Sequence, residues 1–266
     1  MTEHLLVERE GAIVTVIMNR PEARNAMDLE MLARLADAWQ QIDADPEVRV
    51  AILTGTGGHF SSGADLKAMA GGPNAYRDPV WAERFQQDKD LHWKAFLRHY
   101  RLRKPLLAAV EGTCLAGGTE ILQATDIRIA GESAKFGVSE ARWGLFPLGG
   151  STVRLRRQIP YCHAMDILLT GRHVPAREAQ AMGLINRVVD DGTALAVTRE
   201  IALQIAANGP LAVQAIKRSV METEGLPEKE ALARELEIGQ PVFETEDSKE
   251  GPAAFIAKRK PQFKGR

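Results

Sequence analysis

Three short segments carry the residue types from which acid–base chemistry beside a polarised carbonyl could be built: FSSGADL (60–66), AGGTEIL (116–122) and AKFGVSE (134–140). In the first, Gly63 permits backbone geometry closed to other residues, and Ala64 is too small to block a ligand from its own N–H, which favours an acceptor oxygen there. In the second, Gly117 and Gly118 open a helix-like run. The first N–H groups of a helix lack intrahelical partners and its dipole favours developing negative charge, so the Gly117 N–H is a second donor candidate. Glu120 lies three residues on, about one turn into the same face. Glu140 ends the third segment, with Trp143, Leu145, Phe146 and Pro147 close behind it as an apolar wall. Burial there would raise its pKa, and a second carboxylate nearby would couple the two titrations, so that one holds a proton while the other is ionised. Together the segments could hold an oxyanion and move protons to and from one water. Taken singly, each reads equally as a strand-to-helix turn, a helix N-terminus or a surface glutamate.

Other chemistries find less support. LTGTGG (53–58) and PLGGST (147–152) are glycine-rich, but neither is a G-x-G-x-x-G opening a helix nor a P-loop, which disfavours a dinucleotide or ATP site. Arg24, Lys67 and the C-terminal KRKPQFKGR could neutralise a ligand's phosphates, or form a solvated basic face. The six histidines fall in no HExxH or paired-ligand spacing, so no metal is expected. Cys114 and Cys162 fit neither a disulfide framework nor a tetrahedral metal site, pointing to a reducing cytoplasm. A formal net charge of −1 lacks the basic bias of a nucleic-acid binder. MTEHLLVEREG has no apolar signal core, and no stretch approaches the ~18 apolar residues of a membrane span.

The elements that must position these residues follow from periodicity. Residues 4–9 and 12–18 are rich in apolar and β-branched residues around Gly11 and read as a hairpin. Asp28 caps a helix over about 29–42, with Leu32, Leu35 and Trp39 on one face. VRVAILTG (48–55), LLAAV (106–110) and DIRIA (126–130) read as buried strands, each following or preceding a turn and helix. GGPNAYRDPV (71–80) has no period and reads as a loop that could serve as a lid; a helix is expected over roughly 81–102, ending before Pro105. From about 150 the pattern is mostly helical. At 266 residues and 45% hydrophobic content, the chain is long enough to bury a sizeable core without staples.

The ordered set NRPEARNA (19–26), VAILTGTGGHFSSGADL (50–66), KPLLAAVEGTCLAGGTEILQATDIRIA (104–130), AKFGVSEARWGLFP (134–147), LLTGRHVPAREAQAMGLINRVV (168–189) and FIAKRKPQF (255–263) resembles the crotonase superfamily, and within it the enoyl-CoA hydratases of actinobacterial type. The resemblance implies an α/β fold, a spiral of ββα units over 1–195 carrying the coenzyme A and catalytic site. Residues 196–266 would then form a helical region that packs homotrimers or dimers of trimers. It assigns the thioester oxyanion hole to the N–H groups of Ala64 and Gly117 and the shared water to Glu120 and Glu140. Coenzyme A, part of the substrate and not a cofactor, would run past Arg24, Ser62, Ala64, Asp65, Leu66 and Lys67, with Phe255 and Lys258 reaching in from a neighbouring subunit. Met69, Trp81, Phe85, Trp143 and Leu148 would line the acyl pocket, Leu148 standing where hydratases often have glycine. The implied reaction is syn addition of water to a trans-2-enoyl-CoA in fatty-acid or steroid side-chain β-oxidation. The alternatives are an isomerase working through Glu140 alone and an acyl-CoA-binding member without turnover.

Overall fold

The computed structural model describes residues 3–66 and 79–266; Lys67, Met69 and most of the expected loop over 71–80 lie outside them. The expected hairpin is β1 (Leu5–Glu10) and β2 (Ile13–Met18), paired antiparallel. Next come α1 (Leu29–Ala44), whose first turn is closed by the Asp28 carboxylate accepting from Met31 N–H, and β3 (Val50–Gly55), parallel to β2. The expected helix over 81–102 is two shorter ones, α2 (Pro79–Gln87) and α3 (Leu91–Ala95). Asp88 breaks the run: its side chain accepts from Asp90 N–H and Lys94 Nζ, a local alternative to the helical ladder. The stretch after Ala95 leaves helical geometry altogether, with Leu97 at φ 50.

β4 (Leu106–Val110) then leads through β5 (Thr113–Leu115) into α4 (Gly117–Leu122). β6 (Ile127–Gly131) and β7 (Lys135–Gly137) follow, and a 3-10 turn spans Glu140–Trp143. Beyond it lie α5 (Ser151–Gln158), α6 (Tyr161–Thr170), β8 (Val174–Pro175), α7 (Ala176–Ala181) and β9 (Arg187–Val189). The short strands β5, β7, β8 and β9 carry too few residues to show a period. One sheet runs β1-β2-β3-β4-β6-β9, parallel from β2 onward, and a second runs β5-β7-β8.

Alternate residues of the central strands enter two cores. Ala51, Leu53, Leu106, Ala108 and Val110 pack with Trp39 and Phe60 on the α1 side, while Val50, Ile52, Leu107 and Ala109 pack with Ala194 and Ala202 on the other. Both faces are thus covered, which is why these strands read as unbroken apolar runs. The second cover is α8 (Ala194–Ala206); its first N–H, at Ala194, and that of Gly192 just before it donate to the Glu111 carboxylate. A division at 195/196 therefore falls in the first turn of a helix that belongs to the sheet. Then α9 (Pro210–Thr223), α10 (Glu228–Gly239) and α11 (Glu246–Ile256) stand outside the core. Lys217 Nζ ties α9 down through the Lys104 carbonyl (2.9 Å) and Asp126 (2.7 Å), yet Ile216, Val220, Leu232, Leu236, Phe255 and Ile256 remain exposed. Among the described residues, no helix is long and apolar enough to cross a membrane.

One buried side chain makes several of the ties between the loop after β2 and the loop after β3. Asn25, at φ 55, accepts from Arg20 N–H (2.8 Å) and donates to the carbonyls of Thr56 (2.9 Å) and His59 (2.8 Å). Its own carbonyl accepts from Ser61 Oγ (2.8 Å). Asparagine tolerates the left-handed region better than most residues, and here its amide is fully used. Asn25→Ala leaves two carbonyls and one N–H without these partners and strains the turn, so it should lower stability by about 3 kcal/mol in urea denaturation; a loss under about 1 kcal/mol would show that the loops hold without it.

Candidate active site

The two donor turns meet because their backbones pair. Ser61 N–H donates to Thr113 carbonyl (2.8 Å) and Leu115 N–H to Ser61 carbonyl (2.9 Å), so the segment after β3 lies along β5. Gly63 (φ 97) then passes directly over the start of α4: a Cβ there would stand 2.8 Å from Ala116 Cβ and 2.9 Å from Gly117 N. No side chain fits in that space, and L-residues avoid that φ. On its other edge the turn bridges to Met27, whose N–H donates to Gly63 carbonyl (2.8 Å) and whose carbonyl accepts from Asp65 N–H (3.1 Å). In such a bridge the residue between presents its N–H the opposite way, so Ala64 N–H faces away from Met27. Gly117, first residue of α4, has an N–H outside the helical ladder. Among the described residues, neither N–H has a hydrogen-bond partner.

Ala116, just before Gly117, is held at φ 49, ψ −125, a region that costs a non-glycine residue about 1–3 kcal/mol. Its N–H donates to Gly137 carbonyl (2.7 Å), fixing the twist that aims the next N–H. The floor is apolar: a Cβ on Gly117 would stand 3.0 Å from Met27 Cε and 3.2 Å from the Phe96 ring.

The two acids differ in surroundings. Glu120, on α4, is buried, and its Oε1 accepts from Ser151 N–H (3.2 Å) at the start of α5. Burial pushes its pKa up, opposed by the N–H groups of Ser151, Gly149 and Gly150 and by the Ser151 hydroxyl. Gly149 makes that approach possible, since a Cβ on it would lie 2.5 Å from Glu120 Oε2. Glu140 opens the 3-10 turn, and its pKa is pushed up to about 7, first by burial and then by the Glu120 charge. Among the described residues, its buried Oε2 has no hydrogen-bond partner. Of these two interacting carboxylates, Glu120 is held by several donors and Glu140 keeps one buried oxygen unpartnered, so Glu140 is the one biased toward holding a proton. Of the expected apolar wall, Pro147 is buried, but Trp143, Leu145 and Phe146 are exposed.

A cavity of about 490 Å³ runs outward from Ala64, lined also by Arg20, Ala23, Ser62, Asp65 and Leu66. Of the residues expected along coenzyme A, Ser62, Ala64, Asp65 and Leu66 line it. Arg24 does not: it is exposed, at φ 51, with its carbonyl accepting from Ser62 N–H (2.9 Å). Arg20, which the sequence did not single out, is the buried cation there, donating to Ala26 carbonyl (2.6 Å) and pairing with Asp65 (3.1 Å). Phe255 and Lys258 lie exposed at the end of the C-terminal helices. Trp81 and Phe85 are partly buried against the main core, and Trp143 and Leu148 are exposed. Asn25, Met27, Phe96 and Ser151 also escaped sequence reading; only the glycine pair at 149–150, a helix start in sequence, hinted at Ser151.

The family model described as enoyl-CoA hydratase/isomerase matches residues 8–266. The enoyl-CoA hydratase EchA19 of Mycobacterium tuberculosis is 55% identical, over 98% of this chain and 96% of its own. The 2,3-dehydroadipyl-CoA hydratase of Escherichia coli is 33% identical, over 98% and 99%. Among solved structures, enoyl-CoA hydratase EchA1 of Mycobacterium marinum matches with a TM-score of 0.89 at 40% identity, covering 100% of both chains. An enoyl-CoA hydratase of Bacillus anthracis matches with a TM-score of 0.90 at 34% identity, over 99% of this chain and 100% of its own. With the paired donor turns and the two unlike acids carried on this sheet order, the chain belongs to the enoyl-CoA hydratase/isomerase family and has the crotonase fold.

Proposed function

We propose that this chain is an enoyl-CoA hydratase adding water across a trans-2-enoyl-CoA thioester to give the 3-hydroxyacyl-CoA. The observation that carries the reading is the pair of interacting carboxylates with unlike environments, on the same α4 segment and adjoining turns as two unpaired backbone N–H groups. Water oxygen adds to the β carbon while Glu120 takes one of its protons. The C=C electrons move onto the thioester oxygen, where the N–H groups of Ala64 and Gly117 stabilise the charge, each by roughly 3 kcal/mol. The carbonyl re-forms as Glu140 delivers its proton to the α carbon, on the same face as the water. Proton exchange with solvent restores both acids. The reaction as written uses acid, base and oxyanion donors and no further cofactor.

Coenzyme A would lie in the groove past Ser62, Ala64, Asp65 and Leu66, with Arg20 as its buried cation. Phe255 and Lys258 would serve the site of a neighbouring copy. The exposed apolar side chains of α9 to α11 support a trimer or a pair of trimers, since a monomer would leave them in water. The two free cysteines fit a cytoplasmic enzyme.

Glu120→Gln and Glu140→Gln should each lower kcat for hydration of crotonyl-CoA by about 10²–10⁴-fold while leaving KM nearly unchanged, followed by loss of the enoyl-thioester absorbance. Full activity in either variant would end the two-acid mechanism, and Glu120→Gln active only on a 3-enoyl-CoA would favour an isomerase. Because Glu140 must be protonated and its pKa is pushed up to about 7, kcat/KM should fall as pH rises through that value. It should fall again on the acid side as Glu120 takes up a proton, at a pH above the ordinary glutamate range. A profile flat from pH 6 to 9 would contradict this assignment. Sedimentation should give a mass three or six times 29.2 kDa; a monomer would overturn the oligomeric reading.

A further inference from the structure

Arg154 sits in the first turn of α5, 6% exposed, and its hydrogen bonds go to neutral groups: Nη1 donates to Phe96 carbonyl (3.4 Å) and Nη2 to Leu97 carbonyl. Among the described residues it forms no ion pair within 4 Å. A guanidinium buried without a carboxylate partner is costly, so its surroundings bear explaining. The carbonyls it binds belong to the point where the chain leaves α3, with Leu97 in the left-handed region at φ 50. That turn seats the Phe96 ring against Gly117, the second oxyanion donor. On its other side Arg154 packs on the same turn that holds Glu120. A Cβ on Gly149 would meet Glu120 Oε2 at 2.5 Å, and a Cβ on Gly150 would meet Arg154 Nε at 3.4 Å and Cδ at 3.5 Å. The carboxylate and the guanidinium therefore lie against consecutive residues of one two-glycine turn.

We infer that Arg154 is a positioning residue for hydration: it holds Phe96 against the oxyanion donor and places a fixed positive charge behind Glu120, favouring the ionised base. The inference rests on the hydratase reading of the site. Burial pulls the Arg154 pKa down to about 10, with Arg101 adding to the fall, the Glu120 charge opposing it, and Arg98 and Arg128 acting in the direction of Arg101; the side chain stays charged at neutral pH. Arg154 is the one of these cations placed on the Gly149–Ser151 turn that donates to Glu120. Glu140, the other charge facing Glu120, acts in the opposite sense on the pair.

The test uses crotonyl-CoA hydration by the full-length protein and its Arg154→Gln and Arg154→Lys variants, each checked for folding by circular dichroism. Arg154→Gln should raise the acid limb of the kcat/KM profile by about one pH unit. Arg154→Lys keeps the charge but not the two-point grip, so it should keep that limb while kcat falls about tenfold to a hundredfold and KM stays within about twofold. An unshifted limb in Arg154→Gln, or a loss in Arg154→Lys that lies wholly in KM, overturns the inference. A readout independent of turnover is urea stability against pH. A carboxylate whose pKa is raised by folding contributes stability fully present below its unfolded value and lost as pH rises through its folded value. Arg154→Gln should extend that loss to higher pH, and adding Glu120→Gln should abolish the extension. Wild-type protein without hydratase activity would sink the function proposed above, and the stability series would still decide whether Arg154 acts on Glu120.

Discussion

The site depends on one close approach of two backbones. The segment after β3 pairs with β5 through Ser61 and Leu115, and Gly63 then crosses the start of α4 at a distance that excludes any side chain. Without that contact the N–H groups of Ala64 and Gly117 would belong to two unrelated loops. The flanking residues are fixed to match. Met27 anchors the far edge of the 63–65 turn, Asn25 ties the preceding loop to Thr56 and His59, and Ala116 tolerates a left-handed backbone because Gly137 accepts its N–H. In the proposed reaction, two donors held this way would need no reorganisation when negative charge forms between them, which is where preorganised dipoles exceed water as a solvent.

The roles proposed for the acids rest on the same scaffold. Glu120 is carried by α4, the helix whose first N–H is the second proposed oxyanion donor, and accepts from the Ser151 N–H that opens α5. Glu140 sits on a 3-10 turn of its own, with a buried oxygen that nothing in the described protein satisfies. In the proposed mechanism, one chemical group in two environments gives a donor-stabilised base and an acid that holds its proton more readily. Desolvation drives both pKa values upward; the N–H groups aimed at Glu120 oppose the rise there, while the Glu120 charge adds to it at Glu140.

The outer helices obey a different constraint. α8 is a true layer of the sheet, with Ala194 and Ala202 in the second core, whereas α9 and α10 bury almost nothing of their own. Polar ties at Lys217 and Arg49 orient this part, Arg49 donating to the carbonyls of Ala206 and Phe263, but polar ties do not cover apolar surface. In the proposed oligomer that surface would be covered by another copy, and the same contact would bring Phe255 and Lys258 to a neighbour's groove.

Much of this was legible in the sequence. Hairpin, capped helix and buried strands followed from period and capping, because those signals are local: Asp28 caps its own helix and LLAAV reads as a strand wherever it lies. The residues of the proposed chemistry were also visible as short motifs, and their order along the chain, through the resemblance it carries, pointed to the family. The tertiary structure decided what depends on separations of tens of residues. The helix expected over 81–102 breaks at Asp88, the three-residue strands β5, β7 and β9 form through partners distant in sequence, and Arg20 stands in the groove in place of Arg24. It also decided which glutamate receives the N–H groups of Gly149 to Ser151 and which carbonyls Arg154 grips. Sequence sets the chemical capacity and local geometry of each residue; burial, electrostatic environment and the meeting of two backbones exist only once the sheet has brought distant segments together.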